Sequence, residues 1–319
     1  MGLLAKLLAQ RIALGLLLLF LISIFIFAGT LLLPGDVAQQ ILGQTATPEA
    51  LANLRAKLGV NEPPIDRYLT WLGGLLTGDL GTALTSGQNI NEALFRRLAN
   101  TFFLAFWAAI IAVPLAIFLG LLAVRFRDRW PDKLISASTL STISMPEFVI
   151  GYILMFILGV KLRWFSPTAV GYRPDADLLS RLDSIAIPIM VLTLVVLAHM
   201  MRMTRAAILN VMQSAYIETA ELKGLSTFTV IRKHAFPNAI SPVVNVVMLN
   251  LAYLVVGVVV VEVVFVYPGL GQYLVDHVTK RDIPVVQACG IIFATIYIGL
   301  NLVADLISIL TNPRLRHPK

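Results

Sequence analysis

Charged residues are scarce in this chain. Only 13% of its 319 residues are Asp, Glu, Lys or Arg, whereas 58% are hydrophobic. Soluble domains carry about a quarter charged residues, so a soluble fold of this length would leave much apolar surface in water. The composition therefore predicts that a lipid bilayer, rather than water, surrounds most of the chain.

Residues that form disulfides or hold metals are also rare. Cys289 is the one cysteine, which excludes an intramolecular disulfide and a cysteine-based zinc site. The four histidines are scattered without the spacing of metal ligands. We interpret Cys289 as a small packing residue and expect no metal site on this chain.

The common catalytic motifs are missing from the sequence. It contains no Gly-x-x-x-x-Gly-Lys-Ser/Thr phosphate-binding loop, no His-Glu-x-x-His and no Gly-x-Ser-x-Gly. No paired carboxylates have a spacing that suggests hydrolysis. We therefore predict that the chain is not an enzyme and carries no cofactor of its own.

Long apolar segments are abundant. A membrane span needs about 20 mostly apolar residues, and six segments satisfy this: 12–33, 98–124, 134–160, 185–201, 239–266 and 284–310. The first could be a cleaved signal peptide. Its apolar core is longer than that of a signal peptide, which has roughly 7–15 residues, and no small-x-small cleavage site follows it. The sequence thus predicts an all-α polytopic membrane protein with six transmembrane helices.

Lysine and arginine residues are concentrated in particular connections. The densest cluster, Arg125, Arg127, Arg129 and Lys133, lies between the second and third apolar segments. Short connections rich in Lys and Arg stay on the cytoplasmic side of a bilayer. This rule predicts that both termini are cytoplasmic. The net charge of +7 is interpreted as membrane topology rather than as a nucleic-acid surface.

The apolar segments and the charge rule divide the chain into four parts. Residues 1–33 form an N-terminal tail and the first helix, and residues 34–97 form a sizeable extracytoplasmic segment. Residues 98–311 form a five-helix core that includes a cytoplasmic loop, 207–238, and residues 312–319 form a cytoplasmic tail. In the outer segment, Thr47-Pro48-Glu49 predicts a helix start and Gly59 its end, and a second helix is expected over 65–76.

The longest polar run in the second half of the chain covers residues 214–238. Apolar residues before and within it recur three or four apart, which predicts a helix with one apolar face. Gly224 should end this helix, Ser226 or Thr227 should cap a second short helix, and Pro237 should interrupt it. This pattern alone also suits an amphipathic connector lying on the membrane surface.

The order of residues in this run resembles a known family. Glu218-Thr219-Ala220, three residues, Gly224 and then Pro237 resemble the EAA loop of ABC importer permeases, with His234 and Phe236 in place of its Ile and Leu. Tyr-x-x-Thr-Ala-x-x-Lys-Gly-Leu-Ser, Leu-Pro-Gly-Asp and Gly-Asp-Leu-Gly resemble the branch that imports dipeptides, oligopeptides and nickel. The resemblance covers residues 33–313.

This resemblance implies an ABC importer type I permease fold in a bacterial cytoplasmic (inner) membrane. The family uses a second permease, mostly a different chain, two cytosolic ATPases that bind ATP and Mg²⁺, and an extracytoplasmic substrate-binding protein. Peptides are the expected substrate, and a nickel chelate is the alternative. The residues expected to couple the permease to the ATPases are Glu218, Thr219, Ala220, Gly224, Leu225, Ser226, Arg232 and Pro237.

Polar residues within the apolar segments are candidates for the translocation path or its outer gate. An ionised group at mid-bilayer costs about 2.5–3.5 kcal/mol, so it should face protein or water. The candidates are Glu147, Asn250, Glu262, Pro268, Gly269 and Asp282. The alternative is that each of them satisfies a neighbouring helix. Pro146, just before Glu147, permits a kink in the third segment.

Three alternatives to these interpretations remain at this stage. A secondary transporter or channel would need no ATPase partners, and an intramembrane protease would need a catalytic dyad, for which no motif is present. Residues 34–97 could be a mere cover or a contact surface for the substrate-binding protein.

Within the 214–238 run, we expect Glu218 to brace the Gly224 turn by accepting hydrogen bonds.

Overall fold

The computed structural model describes residues 3–32, 37–43, 46–57, 59 and 62–311. Predictions for residues 33–36 and for the 312–319 tail lie outside this part. Regular structure in it is helical, apart from an isolated antiparallel bridge between Thr82 and Asn89. The helices are α1 (Leu3–Leu31), α2 (Val37–Leu42), α3 (Pro48–Lys57), α4 (Pro64–Thr77), α5 (Ile90–Arg125), α6 (Trp130–Ser144), α7 (Glu147–Leu154), α8 (Leu178–Ser184), α9 (Ala186–Met212), α10 (Ala215–Leu222), α11 (Thr227–Val230), α12 (Phe236–Phe265), α13 (Leu270–Thr279) and α14 (Ile283–Thr311).

Five helical stretches among the described residues are long and apolar enough to cross a membrane. They are Leu8–Leu31, Ile90–Arg125, Ala186–Met212, Thr227–Val255 and Ile283–Ile307. Each overlaps one of the predicted segments. Two further helix pairs pass the same test only when their two halves are taken together, so the described part holds up to seven candidate spans.

The predicted third span, 134–160, is not one continuous helix. Helix α6 ends at Ser144, and α7 together with a π-helical turn at Met155–Lys161 leaves it at an angle of 104°. Met145 is extended, and Pro146, which has no N–H group to continue the α6 ladder, precedes the first residue of α7. The proline therefore produces a break instead of the modest kink that the sequence suggested.

The fifth predicted span, 239–266, is also followed by a second helix, α13, with which it forms a bent pair. Its outer portion, Gly257–Phe265, meets α13 at 74° across the four residues 266–269. Helix α12 ends at its C-cap, Val266, which has a left-handed backbone conformation with φ of 53°. The α12–α13 pair consequently forms a bend at one end of the bundle, where the Glu262 network described below is located.

Helix α9 forms the centre of the bundle, and small residues allow other helices to approach it. The face of α5 toward this core carries Ala105, Ala108, Ala112 and Ala116, all buried. Gly120 continues that face, where an added Cβ would lie 3.0 Å from Thr204 Cγ2. Small side chains let membrane helices pack closely, because lipid provides no hydrophobic drive to bring helices together.

The segment between α1 and α5 contains the two expected helices. Helix α3 begins at Pro48, and the Thr47 hydroxyl accepts a hydrogen bond from the Ala50 N–H (3.2 Å), as the capping prediction required. Helix α4 packs against α1 through Phe27, whose ring centroid is 5.3 Å from that of Tyr68 and 6.1 Å from that of Trp71. The Tyr68 hydroxyl also pairs with Ser23 of α1 at 2.9 Å.

A buried ion pair that sequence reasoning missed joins α6 to α9. The Arg205 guanidinium donates to both carboxylate oxygens of Asp132, at 2.9 and 2.8 Å. The same carboxylate accepts from the Asp128 N–H (3.0 Å) and from the Ser136 hydroxyl (3.3 Å). These four donors fix the turn between α5 and α6 against the central helix.

Breaking this pair should destabilise the protein more than breaking an exposed pair. Arg205→Met leaves the Asp132 carboxylate buried without its bidentate partner, which costs about 3–5 kcal/mol in such pairs. The matched control is Arg11→Met, because the Arg11–Asp305 pair (2.9 Å) is partly exposed and such pairs contribute about 0–1 kcal/mol. Thermal unfolding in detergent should show a clearly lower midpoint only for Arg205→Met. Equal midpoints would contradict this assignment.

Candidate functional site

The 214–238 segment connects the central helix α9 to α12. Helix α9 ends at Met212, α10 follows after two residues, and a turn at Gly224 leads into α11. A π-helical turn, Ile231–Ala235, then joins α11 to α12. The segment is therefore a compact helix–turn–helix with rigid elements on both sides.

Gly224 ends α10 in the way that the sequence predicted. Its backbone has φ of +78°, and an added Cβ would meet nothing within 4 Å. The backbone conformation, rather than crowding, is thus the reason for glycine. The Gly224 N–H donates to the Glu221 carbonyl (2.8 Å), and the Leu225 N–H donates to that of Ala220 (3.4 Å). These bonds close the end of the helix.

Ser226 rather than Thr227 caps α11. The Ser226 hydroxyl accepts a hydrogen bond from the Thr229 N–H (3.4 Å) and lies 2.9 Å from the Thr229 hydroxyl. The Ser226 backbone is extended, and its hydroxyl satisfies one of the free N–H groups at the helix start.

Pro237 does not interrupt the second helix, so that expectation was wrong. In the π-helical turn, the Phe236 N–H donates to the Ile231 carbonyl five residues back. Pro237 then occupies the first turn of α12, where its missing N–H and fixed φ are tolerated. The wider π turn absorbs the distortion, and helix continues from Thr227 into the bundle.

The segment has a small apolar core of its own. Ile217 and Ala220 of α10 are buried against Val230 and Ala235, and Met212 of α9 packs on the same cluster. Because these side chains come from both halves of the turn, they fix the angle between α10 and α11. The cluster thereby packs the segment against the end of α9.

Three large apolar side chains around the Gly224 turn and α10 are exposed. We call Tyr216, Leu222 and Leu225 the apolar rim; their exposed fractions are 44%, 82% and 39%. Exposed apolar residues grouped among polar ones are typical of an interaction surface. The rim is the main feature of this segment that its own core does not explain.

The remaining predicted residues of the segment differ in their surroundings. Ala220 is buried, and the Thr219 hydroxyl donates to the Ala215 carbonyl at 3.0 Å. Arg232 is exposed, with its guanidinium 5.7 Å from the Phe228 ring centroid. Glu218 is exposed and has no hydrogen bond or ion pair among the described residues. Its carboxylate does not brace the turn, contrary to our expectation, because backbone N–H groups at the end of α10 bond to backbone carbonyls instead.

A second group of candidate residues meets at the α12–α13 bend. Glu262 is fully buried and accepts hydrogen bonds from the Thr101 hydroxyl (2.6 Å) and from the N–H groups of Gly271 (2.6 Å) and Gln272 (3.2 Å). The Pro268 carbonyl accepts from the Asn100 side chain at 2.8 Å. The Glu262 carboxylate thus holds three helices, α5, α12 and α13, together.

Glycine is required next to this carboxylate. A Cβ at Gly269 would collide with the Glu262 carboxylate, and one at Gly271 would lie 2.6 Å from Val259 Cα. Asp282 is also fully buried, and its carboxylate holds the 78–89 loop by accepting hydrogen bonds from it. It accepts from the Leu84 N–H (3.1 Å), the Thr85 N–H (2.8 Å) and the Thr85 hydroxyl (2.6 Å).

Asn100 and Thr101 were missed by the sequence analysis. They are adjacent polar residues near the start of the long apolar helix α5, and that pairing was the available signal. The Thr101 hydroxyl also accepts from the Leu270 N–H (2.8 Å), and the Tyr267 hydroxyl donates to the Asn100 carbonyl (2.8 Å). Asn100 and Thr101 of α5 therefore bond to the residues of the bend through both backbone and side-chain groups.

The last two candidate path residues lie elsewhere in the bundle. Asn250 is buried, and its side-chain nitrogen donates to the Val246 carbonyl at 2.8 Å. Glu147, at the start of α7, is only half-buried and accepts from the Tyr253 hydroxyl at 3.2 Å. A role in the path or gate stays a prediction for all six candidates. In this conformation the carboxylates of Glu262 and Asp282 hold neighbouring elements.

No group of three or more His, Cys, Asp or Glu side chains within the described ranges is arranged to hold a metal ion.

Substitution of Gly271 should show how tightly the bend is packed. Gly271→Ala places a Cβ against the α12 backbone, and overpacking of this kind typically costs about 1–3 kcal/mol. The control is Gly299→Ala, because a Cβ there meets nothing within 4 Å in the α14 helix. We expect a lower unfolding midpoint and a lower yield of intact protein for Gly271→Ala. A stability equal to that of Gly299→Ala would contradict this prediction, because it would show that the bend can accommodate the added methyl group.

Comparisons with known proteins show which family this chain resembles. Residues 112–317 match the family model for a binding-protein-dependent transport system inner membrane component, and residues 4–105 match the N-terminal model of such components. The chain is 35% identical over 312 residues to a putative peptide transport system permease protein of Brucella abortus (strain 2308), covering 98% of this chain and 99% of that one.

Two further similarities extend this result. A glutathione transport system permease protein, GsiC of Salmonella typhimurium, is 36% identical over 299 residues, covering 94% of this chain and 95% of that one. The methionine ABC transporter MetNI, solved in inward-facing conformations, has a chain that matches with a TM-score of 0.51 at 18% identity. That match covers 67% of this chain and 95% of the other, and it supports the fold alone.

Proposed function

Because the chain belongs to the family of binding-protein-dependent transport system inner membrane components, we propose that its 214–238 segment couples it to the cytosolic ATPases of a peptide importer. The chain is a multi-pass inner-membrane permease subunit of an ABC importer. ATP and Mg²⁺ bind on the partner ATPases in this proposal. The observation that carries it is the apolar rim on a segment fixed by its own core.

The construction of the segment suits the transmission of movement. Two residues, Gln213 and Ser214, separate α9 from α10, and α11 continues through the π-helical turn into α12. Backbone hydrogen bonds of a continuous helix would have to break to absorb a displacement. When the ATPases close around ATP, a displacement of the segment therefore moves the inner ends of α9 and α12.

The rim supplies the contact with the ATPase. Leu222 and Leu225 lie on either side of the Gly224 turn and insert into an apolar groove on the partner. Glu218 has no partner within the described chain, so its carboxylate is available for a basic group of the ATPase. Arg232 is exposed on the same segment and is available for an acidic group. The chemistry of the contact is an apolar centre with charged edges, as in other protein interfaces.

Peptides are the substrate class that the relatives favour. The Brucella relative is named for peptide transport and the Salmonella relative for transport of glutathione, itself a small peptide. These names favour a peptide over a nickel chelate. An outer substrate-binding protein delivers the peptide, and a second permease, most simply a different chain, completes the path. The family membership argues against a secondary transporter or channel.

The topology follows from this arrangement. The segment that contacts the ATPases is cytoplasmic, and the basic cluster from Arg125 to Lys133 lies on the same side of the bundle. Both termini are then cytoplasmic, and the 34–97 segment is outside. Within the 34–97 segment, helix α4 packs against α1, which supports a role of the segment as a cover. The exposed surface of the segment is available to the binding protein.

Replacement of a rim leucine should separate the permease from its ATPases. Leu222→Glu introduces a charge into the apolar contact, so we expect at least a tenfold loss of ATPase that co-purifies with the permease. The matched control is Leu76→Glu, because Leu76 of α4 is equally exposed, at 82%, but lies in the proposed outer segment. Retention of the ATPases by Leu222→Glu would contradict the proposed contact. Loss of ATPases in both variants would show only a general effect of an added charge.

The orientation can be tested by thiol labelling. On a Cys289→Ser background, Lys223→Cys and Ser86→Cys each place a cysteine at an exposed position, on opposite sides in the proposed topology. An impermeant thiol reagent added to intact spheroplasts should label Ser86→Cys and should label Lys223→Cys only after lysis. The reverse pattern would overturn the orientation.

A further inference from the structure

Four polar side chains share one exposed face near the middle of the bundle. Glu147 comes from α7, His199 and Arg202 from α9, and Tyr253 from α12. The Tyr253 hydroxyl donates to Glu147 Oε1 at 3.2 Å, and the Tyr253 ring centroid is 6.4 Å from that of His199. His199 and Arg202 are three residues apart and are therefore neighbours on one helix face. We call these four residues the mid-depth cluster.

Three of the four residues lie far from both ends of their helices, whereas Glu147 is the first residue of α7 and lies at the break between α6 and α7. His199 is near the middle of α9, which runs from Ala186 to Met212, and Tyr253 is near the middle of α12. His199, Arg202 and Tyr253 are exposed, and Glu147 is half-buried. A charged side chain that faces lipid at this depth costs about 2.5–3.5 kcal/mol. The face must consequently border water or protein.

The charges of the cluster are not neutralised within the chain. His199 and Arg202 have no hydrogen bond or ion pair among the described residues, and Glu147 is bonded only to a neutral tyrosine hydroxyl. By contrast, Asp132, Glu262 and Asp282 are each satisfied by several donors. His199 and Arg202 are therefore available to a partner from outside the described chain.

We propose that the mid-depth cluster is a binding site for a zwitterionic solute, with Glu147 receiving the ammonium group and Arg202 the carboxylate. This inference rests on the proposed function, since a path for such a solute exists only in the importer. The cluster presents both signs of charge, separated by the Tyr253 and His199 rings, which matches the two termini of a peptide. The rings offer flat apolar contact to side chains without selecting one of them.

The space beside the cluster is open enough for such a solute. His199 and Arg202, together with Met203 and Ala206, line a hollow of about 300 Å³. On the other side of Tyr253, Gly257 has no side chain to fill the space next to the Glu147 carboxylate. A Cβ at Gly257 would lie 3.8 Å from Glu147 Oε1. The hollow thus gives room beside His199 and Arg202 of α9.

Thiol protection in the assembled importer tests the site without relying on transport. Ala206→Cys, on a Cys289→Ser background, places a cysteine in the hollow, and a water-soluble methanethiosulfonate measures its rate of modification. Millimolar trialanine should slow that rate at least fivefold, whereas N-acetylated and amidated trialanine should not. Glu147→Gln or Arg202→Gln should each remove the protection. The control cysteine, Phe106→Cys, lies on an exposed apolar face of α5 and should not be modified.

The outcomes separate this inference from the proposed function. Equal protection by free and blocked trialanine, or protection that survives both substitutions, would overturn the zwitterion site. No modification of Ala206→Cys in the complex, with modification in the separated subunit, would show that the second permease covers the face and would also overturn it. Failure of the proposed function is a different result, namely wild-type complexes without ATP-dependent peptide uptake.

Discussion

Polar groups inside a membrane protein must find their partners within the protein, because lipid offers none. In this chain the constraint is met by three buried carboxylates. Asp132 accepts from Arg205 of α9 at one end of the bundle, and Glu262 and Asp282 accept from backbone and hydroxyl donors at the other. Each joins elements distant in sequence. Together they hold helices that are far apart in the sequence against one another.

The two proposed functional surfaces are left without a partner by the described part of the chain. The apolar rim of the 214–238 segment has no cover, and the charges of His199 and Arg202 have no partner in the described part. The rim meets the ATPases in our account, and the mid-depth cluster meets the solute. Helix α9 links the two surfaces, since it carries His199 and Arg202 and ends two residues before α10.

Features set by local chemistry were predictable from the sequence. The apolar stretches, the glycine at the end of α10 and the serine cap of α11 follow from composition and backbone preference. The 104° break at Pro146 and the π-helical turn before Pro237 were not predictable in this way. A proline separates two helices at Pro146, whereas Pro237 lies within the first turn of a helix, so the residue type alone does not decide the outcome. The partners of Asp132 and Glu262 lie 73 and 161 residues away, and no local pattern indicates them.

The central claim is that a rigid 214–238 segment carries the movement of the ATPases into the bundle. The most direct measurement compares reconstituted Gly224→Val complexes with the wild type, because valine is strained at φ of +78° and must change the angle between α10 and α11. We predict that the helices still insert but that uptake is lost, with the ATPases either released or hydrolysing ATP without response to the loaded binding protein. Normal uptake with normal stimulation of ATP hydrolysis in Gly224→Val would contradict the account.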